Sequence, residues 1–355
     1  MISRTVKAAV GRRILDAFRA AGAVEVAPDI LLPADTLLDL YGEDIRARAY
    51  LTTDPIRGEV VLRPDFTVPV VRMHMAQGAE PARYCYLGEV FRKQDHGDTR
   101  PANPRDNESL QAGFELFSRD PDADAEVFAL FHCLLAPCGL TATMGDMDLL
   151  LDAVAGLPLS APRRAMLAHH IWRPKRFERL LDRFSKVEQP RHFAVNSAPW
   201  TGLRTEAEMA ARIARLEAAA EGPPLAPEWR ERLHRLFSVA GPAPTAVDEL
   251  RVLADHIPAI AEAMERLAAR LKAIAARGID PATVRFDTSH GRRTMEYYDG
   301  MTFSFTAEGR PDWPPVASGG RYDALTKVLG QGEAIPAVGG IIRPGLVTEL
   351  ECAPC

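Results

Sequence analysis

The stretch RYCYLGEVFRKQ at residues 83–94, followed after a polar connector by ESLQAGFELF at 108–117, decides the fold. Both segments alternate with a period of two, and their succession predicts an antiparallel pair of strands. The second strand carries Gln111 and Glu115, four residues apart and therefore on one face, while the first ends on Arg92, Lys93 and Gln94. Glutamate is almost never buried without a partner, so a sheet face that holds it is either wet or holds a ligand. The connector DHGDTRPANPRDN (95–107) is long and polar, a candidate ligand-covering loop.

Working outward from this pair, EVVLRPDFTVPVVRM (59–73) reads as a strand, a Pro-marked turn and an apolar segment opening a helix. Near the N-terminus, Val10, Ile14, Leu15 and Phe18 share one helical face and Gly22 supplies a stop. From about 150 to 277 Ala, Leu, Arg and Glu dominate. There TEAEMAARIARLEAAA (205–220) opens with the capping box Thr205/Glu208, and AEAMERLAARLKAIAARG (261–278) closes on Gly278. Strand patterns return in TVRFDTSHGRRTMEYYDGMTFSFTAEG (283–309), expected as two antiparallel strands, and SGGRYDALTKVLG (318–330) reads as a glycine turn into a helix. AVGGIIRPG (337–345) is expected to close the sheet. Strands in runs, a block of helices between them and no regular alternation predict an α+β fold, an antiparallel sheet flanked by helices with a helical insertion at about 150–277.

The 355 residues suffice for a large core, and 47% apolar with 26% charged residues is ordinary for a soluble globular chain. A net charge of -5 argues against a protein built to grip phosphate backbones. No apolar run approaches the ~18 residues of a membrane helix. Five cysteines, an odd number with no signal peptide, point to a reduced, cytoplasmic protein. Cys352 and Cys355 have metal-like spacing, but zinc wants four ligands and no second pair matches it, so neither a metal nor a cofactor is expected. His169 and His170 and the basic run WRPKRFERLLDRFSK (172–186) read as solvated helix surface.

Taken one at a time, polar strand residues are unremarkable. Taken together, Asp65, Thr67, Arg92, Gln111, Glu115, Arg293, Tyr297 and Tyr298 all fall on or beside expected strands. LRPDFT, YLGEVFR, LQAGFELF, RRTMEYYDG and SGGRYD, in this order, resemble the core of the class II histidyl-tRNA synthetases. Still closer is the similarity to their paralogues, the regulatory subunits of ATP phosphoribosyltransferase, across residues 5–346. The resemblance implies a class II synthetase-like core with a pocket for L-histidine. Asp65, Thr67 and Gln111 would accept from the ammonium, Arg293 would hold the carboxylate, and Glu115 and Tyr298 would bracket the imidazole. Arg92 matches the family's phosphate-binding arginine. The segment around Pro33 resembles its dimer-forming motif and implies at least a dimer.

The chain also departs from a synthetase. Gln94 stands where the adenine-reading glutamate is expected, Ser109 where an aromatic would stack on adenine, and Leu346 where a second phosphate arginine belongs, with Arg343 three residues early. Only nine residues follow Leu346, so no C-terminal anticodon-binding domain and no tRNA partner are expected. The resemblance thus implies a non-catalytic regulatory subunit in histidine biosynthesis. It would associate with a short-form catalytic phosphoribosyltransferase and make it sensitive to histidine, with the loop at 95–107 as the candidate two-state element. Two alternatives remain open at this level: a truncated ligase that still adenylates an amino acid, supported by Arg92 and Arg293, and a structural adaptor whose pocket is vestigial.

Overall fold

The structure, a computed structural model, describes residues 3–34, 48–93, 107–187, 205–220, 222–293, 296–330 and 332–351. The first half contains α1 (Arg4–Ala20), β1 (Val24–Glu25), β2 (Leu31–Pro33), β3 (Leu51–Asp54), β4 (Gly58–Leu62), α2 (Thr67–Gln77), β5 (Ala82–Phe91), β6 (Glu108–Phe117), α3 (Ala123–Leu135) and β7 (Thr141–Asp146). A helical series follows: α4 (Met147–Ala155), α5 (Ala161–His169), α6 (Pro174–Phe184), α7 (Glu206–Ala220), α8 (Pro227–Ser238), the short β8 (Ala240–Pro242), α9 (Ala243–Ala254) and α10 (Ala261–Ala276). The chain returns to the sheet through β9 (Arg285–Asp287), β10 (Met301–Thr306), β11 (Ala317–Arg321), α11 (Asp323–Leu329), β12 (Ala337–Ile342) and α12 (Pro344–Glu351).

One nine-stranded sheet, in the order β1-β5-β6-β12-β11-β10-β7-β9-β8, organises the molecule, and β2-β4-β3 form a smaller one. In the large sheet only the β1–β5 and β7–β9 pairings are parallel. The expected hairpin lies at one side of the sheet's centre, β5 and β6 pairing antiparallel from Ala82↔Phe117 to Phe91↔Glu108. Its alternation sorts the side chains cleanly. Cys85, Ala112, Phe114 and Leu116 join the core beneath α1 and α3, where Phe18 lies 5.5 Å from both Phe114 and Phe131. Tyr86, Val90 and Phe117 face the other way, toward Val68, Val70 and Val71. Burying each such apolar side chain contributes about 1.5–3 kcal/mol, which is what holds the register.

The local expectations for α1 and α7 hold. Val10, Ile14, Leu15 and Phe18 are the buried stripe of α1, the Ser3 side chain caps its start by accepting from the Val6 amide (3.3 Å), and Gly22 ends it at φ 87°. The capping box of α7 is made, with Glu208 N donating to Thr205 Oγ1 at 3.2 Å and Thr205 N to Glu208 Oε2 at 2.7 Å. Apart from α7, the helices between Met147 and Ala276 share the core on the sheet's α1 side, through Leu167, Phe177, Leu181, Leu233, Leu250, Leu267 and Ile274.

Three sequence expectations need correction. First, 283–309 is not a hairpin: β9 pairs parallel with β7 and β10 pairs antiparallel with β7, which lies between them. Arg293 therefore sits in a 3-10 turn (His290–Arg293), and Tyr297 and Tyr298 in the connection leading to β10, not on strands. Second, SGGR is strand, not turn. A Cβ on Gly319 would stand 2.4 Å from Phe303 Cζ and one on Gly320 2.8 Å from Tyr298 Cδ1, so these glycines serve close packing rather than a bend. Third, β12 does not close the sheet but lies inside it, between β6 and β11. The sequence also carries no strand signal for β8, whose three residues are Ala, Gly and Pro and pair antiparallel with β9.

The connector at 95–106, Gln94, and Cys352 and Cys355 lie outside the described residues. Among the described residues no helix is long and apolar enough to cross a membrane.

Candidate functional site

The sheet face opposite α1 carries a buried carboxylate held entirely by hydroxyls. Glu115 of β6 is 0% exposed. Its Oε1 accepts from Thr67 Oγ1 and Tyr86 OH, each at 2.9 Å, and its Oε2 accepts from Tyr322 OH at 2.6 Å. Three elements converge here: Thr67 is the first residue of α2, Tyr86 belongs to β5, and Tyr322 follows β11 directly. Beside them, Asp65 accepts from Tyr297 OH through Oδ2 (3.1 Å) and from the Val68 amide through Oδ1 (3.4 Å), capping the start of α2.

Glycines give these side chains room to lie flat on the sheet. A Cβ on Gly339 would be 1.6 Å from Glu115 Oε2, one on Gly113 2.1 Å from Tyr86 Cζ, and one on Gly320 2.8 Å from Tyr298. Tyr86 is also stacked on Phe66 with ring centroids 4.2 Å apart, and the Arg63 guanidinium covers Phe66 at 4.0 Å. Gly339→Ala is therefore expected to push the carboxylate off its three donors. Each buried hydroxyl left without an acceptor costs about 1–3 kcal/mol, so an unfolding free energy several kcal/mol below wild type, and with it a lower urea midpoint, is expected. An unchanged midpoint would show that the carboxylate has another seat.

Burial raises the Glu115 carboxyl to about 7, against the pull of the Tyr322, Thr67 and Tyr86 hydroxyls and with a further push from Asp65. Burial and the neighbouring carboxylates also raise the phenols of Tyr86, Tyr297, Tyr298 and Tyr322, which stay protonated as donors. The pocket is thus a cluster of O–H donors around two carboxylates. Chemically it can accept N–H groups of a small cation or a polar ring.

Behind the floor lies an ion network on the other sheet face. Arg321, the neighbour of Tyr322, pairs with Asp124 (2.6 Å) and Asp323 (3.1 Å), while Arg270 of α10 bridges Asp124 (2.8 Å) and Asp146 (2.7 Å). Asp299, next to Tyr298, accepts from the amides of Asp323 (2.9 Å) and Ala324 (2.6 Å) at the start of α11. The two tyrosine-bearing segments are fastened to each other by that contact.

Of the residues singled out in the sequence, Asp65, Thr67, Gln111, Glu115 and Tyr298 are all buried on this face, and Tyr297 is half-buried against Asp65. Arg92 is half-buried beside them, its Nε donating to the Pro64 carbonyl at 2.7 Å. Arg293 is placed by its backbone alone; its side chain is outside the described residues. Arg343 Nη1 donates to the Pro315 carbonyl (2.5 Å), and Leu346 packs against the α1-side core. Sequence reasoning missed Tyr86, and Tyr322 lies in the SGGRYD segment that it read as a glycine turn. The available signal was their spacing: Tyr86 falls on the strand face of Val90 and stands opposite Gly113. Among the described residues no cluster of His, Cys, Asp and Glu could hold a metal ion.

The histidyl-tRNA synthetase family model matches residues 4–344. The ATP phosphoribosyltransferase regulatory subunit of Mesorhizobium japonicum is 34% identical, over 96% of this chain and 96% of that protein. The protein of the same name from Brucella anthropi is 31% identical, over 92% of each. A solved structure described as an ATP phosphoribosyltransferase regulatory subunit/histidyl-tRNA synthetase from Bacillus halodurans superposes with a TM-score of 0.70 at 20% identity, covering 98% of this chain and 79% of that one. A histidine–tRNA ligase subunit from Alicyclobacillus acidocaldarius gives 0.61 at 23% identity, covering 98% and 93%. At that identity the two structures speak for the fold alone.

Proposed function

The chain belongs to the histidyl-tRNA synthetase-like family of ATP phosphoribosyltransferase regulatory subunits, and from that membership we propose that its carboxylate pocket binds free L-histidine and makes a partner enzyme respond to it. The partner is a short-form catalytic phosphoribosyltransferase, which needs this chain for activity and, through it, for feedback control in the cytosol. The observation that carries the reading is Glu115, a buried carboxylate on a sheet floor with three O–H donors and, among the described residues, no cation among its hydrogen-bond partners.

Each polar group of histidine then has a partner. The ring N–H donates to Glu115 and the second ring nitrogen meets Tyr298. The ammonium donates to Asp65, Gln111 and the lone pairs of Thr67, whose own proton goes to Glu115. Arg293 takes the carboxylate, and Arg92 lies at the rim. Bonds to charged groups contribute roughly 1.5–3 kcal/mol each against an association cost on the order of 4–15 kcal/mol. Five or six such bonds leave micromolar affinity, near 8 kcal/mol, which suits a metabolite sensor.

Adenylation is disfavoured by Ser109 at the adenine-stacking position and by Leu346, packed in the core where a phosphate-clamping arginine would be needed. Arg343 is engaged with the Pro315 carbonyl. Titration calorimetry of the chain with L-histidine, alone and with its co-purifying partner, tests the reading, and an ATP–pyrophosphate exchange assay tests the alternative. Histidine-dependent exchange would overturn the regulatory reading, and absence of histidine binding to chain and complex would leave an adaptor. Light scattering at micromolar concentration checks the expected dimer.

The pH dependence has a definite sign. The folded carboxyl of Glu115 stands at about 7 against an ordinary 4.5. Its contribution to stability is full below pH ~4.5 and is lost as pH rises through about 7, a loss on the order of 3 kcal/mol. A ligand N–H that meets the ionised carboxylate offsets this loss, so histidine is expected to raise the melting temperature more at pH 8 than at pH 6. An equal or smaller shift at pH 8 would contradict the contact with Glu115.

A further inference from the structure

Buried carboxylates are ordinarily neutralised by an arginine or lysine, as Asp124 is here by Arg270 and Arg321. Glu115 is not: among the described residues its hydrogen-bond partners are neutral hydroxyls, and the charged group that acts on it most is another carboxylate, Asp65. A carboxylate offers about four acceptor positions, so among the described residues the three hydroxyls leave one over. The Tyr86 ring is pinned between Phe66 and the Cα of Gly113, and Tyr322 OH makes the shortest of the three bonds, at 2.6 Å. The carboxylate lies directly over Gly339, in the space that a Cβ there would occupy.

We propose that Tyr86 and Tyr322 are positioning residues that, with Thr67, fix the Glu115 carboxylate through neutral O–H donors and so reserve its negative charge for a single N–H of a ligand azole. The inference rests on the histidine reading and deepens it. It explains why two tyrosines occupy a place where one arginine would hold the carboxylate more tightly: a guanidinium would fill the remaining acceptor position and cancel the charge that the ligand needs.

The other ionisable groups facing Glu115 are Asp65 before α2 and Tyr297 and Tyr298 before β10, alongside Tyr86 and Tyr322 themselves. The phenols, raised by burial, stay neutral across the working range, and Glu115 is the group the profile follows. Each hydroxyl bonded to Glu115 favours its ionised form, and removing one moves its protonation to higher pH.

The test is the pH profile of L-histidine binding by calorimetry on the full chain for wild type, Tyr322→Phe and Tyr86→Phe, from pH 5.5 to 9.5. The expected result is a binding midpoint displaced upward by about one pH unit in either variant, with affinity above that midpoint recovering to within a few-fold of wild type. A pocket merely loosened by the substitution would lose affinity by the same factor at every pH, with the midpoint unmoved, and that outcome overturns the inference while leaving the histidine reading intact. If wild type binds no histidine at any pH, the reading itself fails and the inference with it. Two isosteric variants at different elements keep the test decisive should one of them fold poorly.

Discussion

Glu115→Gln is expected to weaken L-histidine binding by roughly 10- to 150-fold with little change in fold. The substitution keeps shape and removes charge, so it deletes a charge-assisted bond contributing about 1.5–3 kcal/mol. Alanine is a harsher and less readable change. It strands the hydroxyls of Thr67, Tyr86 and Tyr322, now bonded to the carboxylate at 2.6–2.9 Å, and mixes loss of binding with loss of stability. Calorimetric titration beside a thermal melt separates the two, and Glu115→Gln binding within twofold of wild type would remove Glu115 from the ligand contacts.

A large effect on stability is expected at Arg270. Its guanidinium reaches Asp124 at 2.8 Å and Asp146 at 2.7 Å, with side-chain exposures of 7%, 5% and 0% for the three residues. Arg270→Met leaves Asp146 buried without its cation and Asp124 with only Arg321. Breaking a buried pair from one side costs about 3–5 kcal/mol, because the surviving charge stays desolvated. Asp146 also caps α4, its Oδ1 accepting from the Asp148 amide at 3.0 Å. The double variant Arg270→Met with Asp146→Asn keeps that cap, removes the stranded charge and is expected to recover part of the loss in a urea titration. A single variant within about 1 kcal/mol of wild type would mean that water reaches the network.

The network also bears on the site. Arg321 is tied to Asp124 on one face of β11, and the next residue, Tyr322, donates to Glu115 on the other. The floor of the candidate pocket and the helices from Met147 to Ala276 are thus joined through consecutive residues at one strand end, a rigid support for the side chains of that floor.

How much of this was legible beforehand differs from element to element. The helix Arg4–Ala20 and its four buried residues could be read off a 3.6-residue period with a glycine stop, because such a helix depends on its own residues. The β5–β6 pair was equally readable, and with it the placing of Gln111 and Glu115 on one face. SGGR was misread as a turn and 283–309 as a hairpin, since glycine looks the same in sequence whether it bends the chain or lets a Phe303 or Tyr298 ring approach it.

The sequence by itself determined which residues share a strand face, where helices start and stop, and that a carboxylate would face inward. Only the tertiary structure decided what meets it: Tyr322 stands far along the chain from Thr67 and Tyr86, and Asp124, Asp146, Arg270 and Arg321 come from four separate elements. The physical reason is that periodicity is a local property of one segment. A hydrogen-bond partner and the clearance over a glycine belong instead to the neighbouring strand, and strand order is set by the packing of the whole sheet.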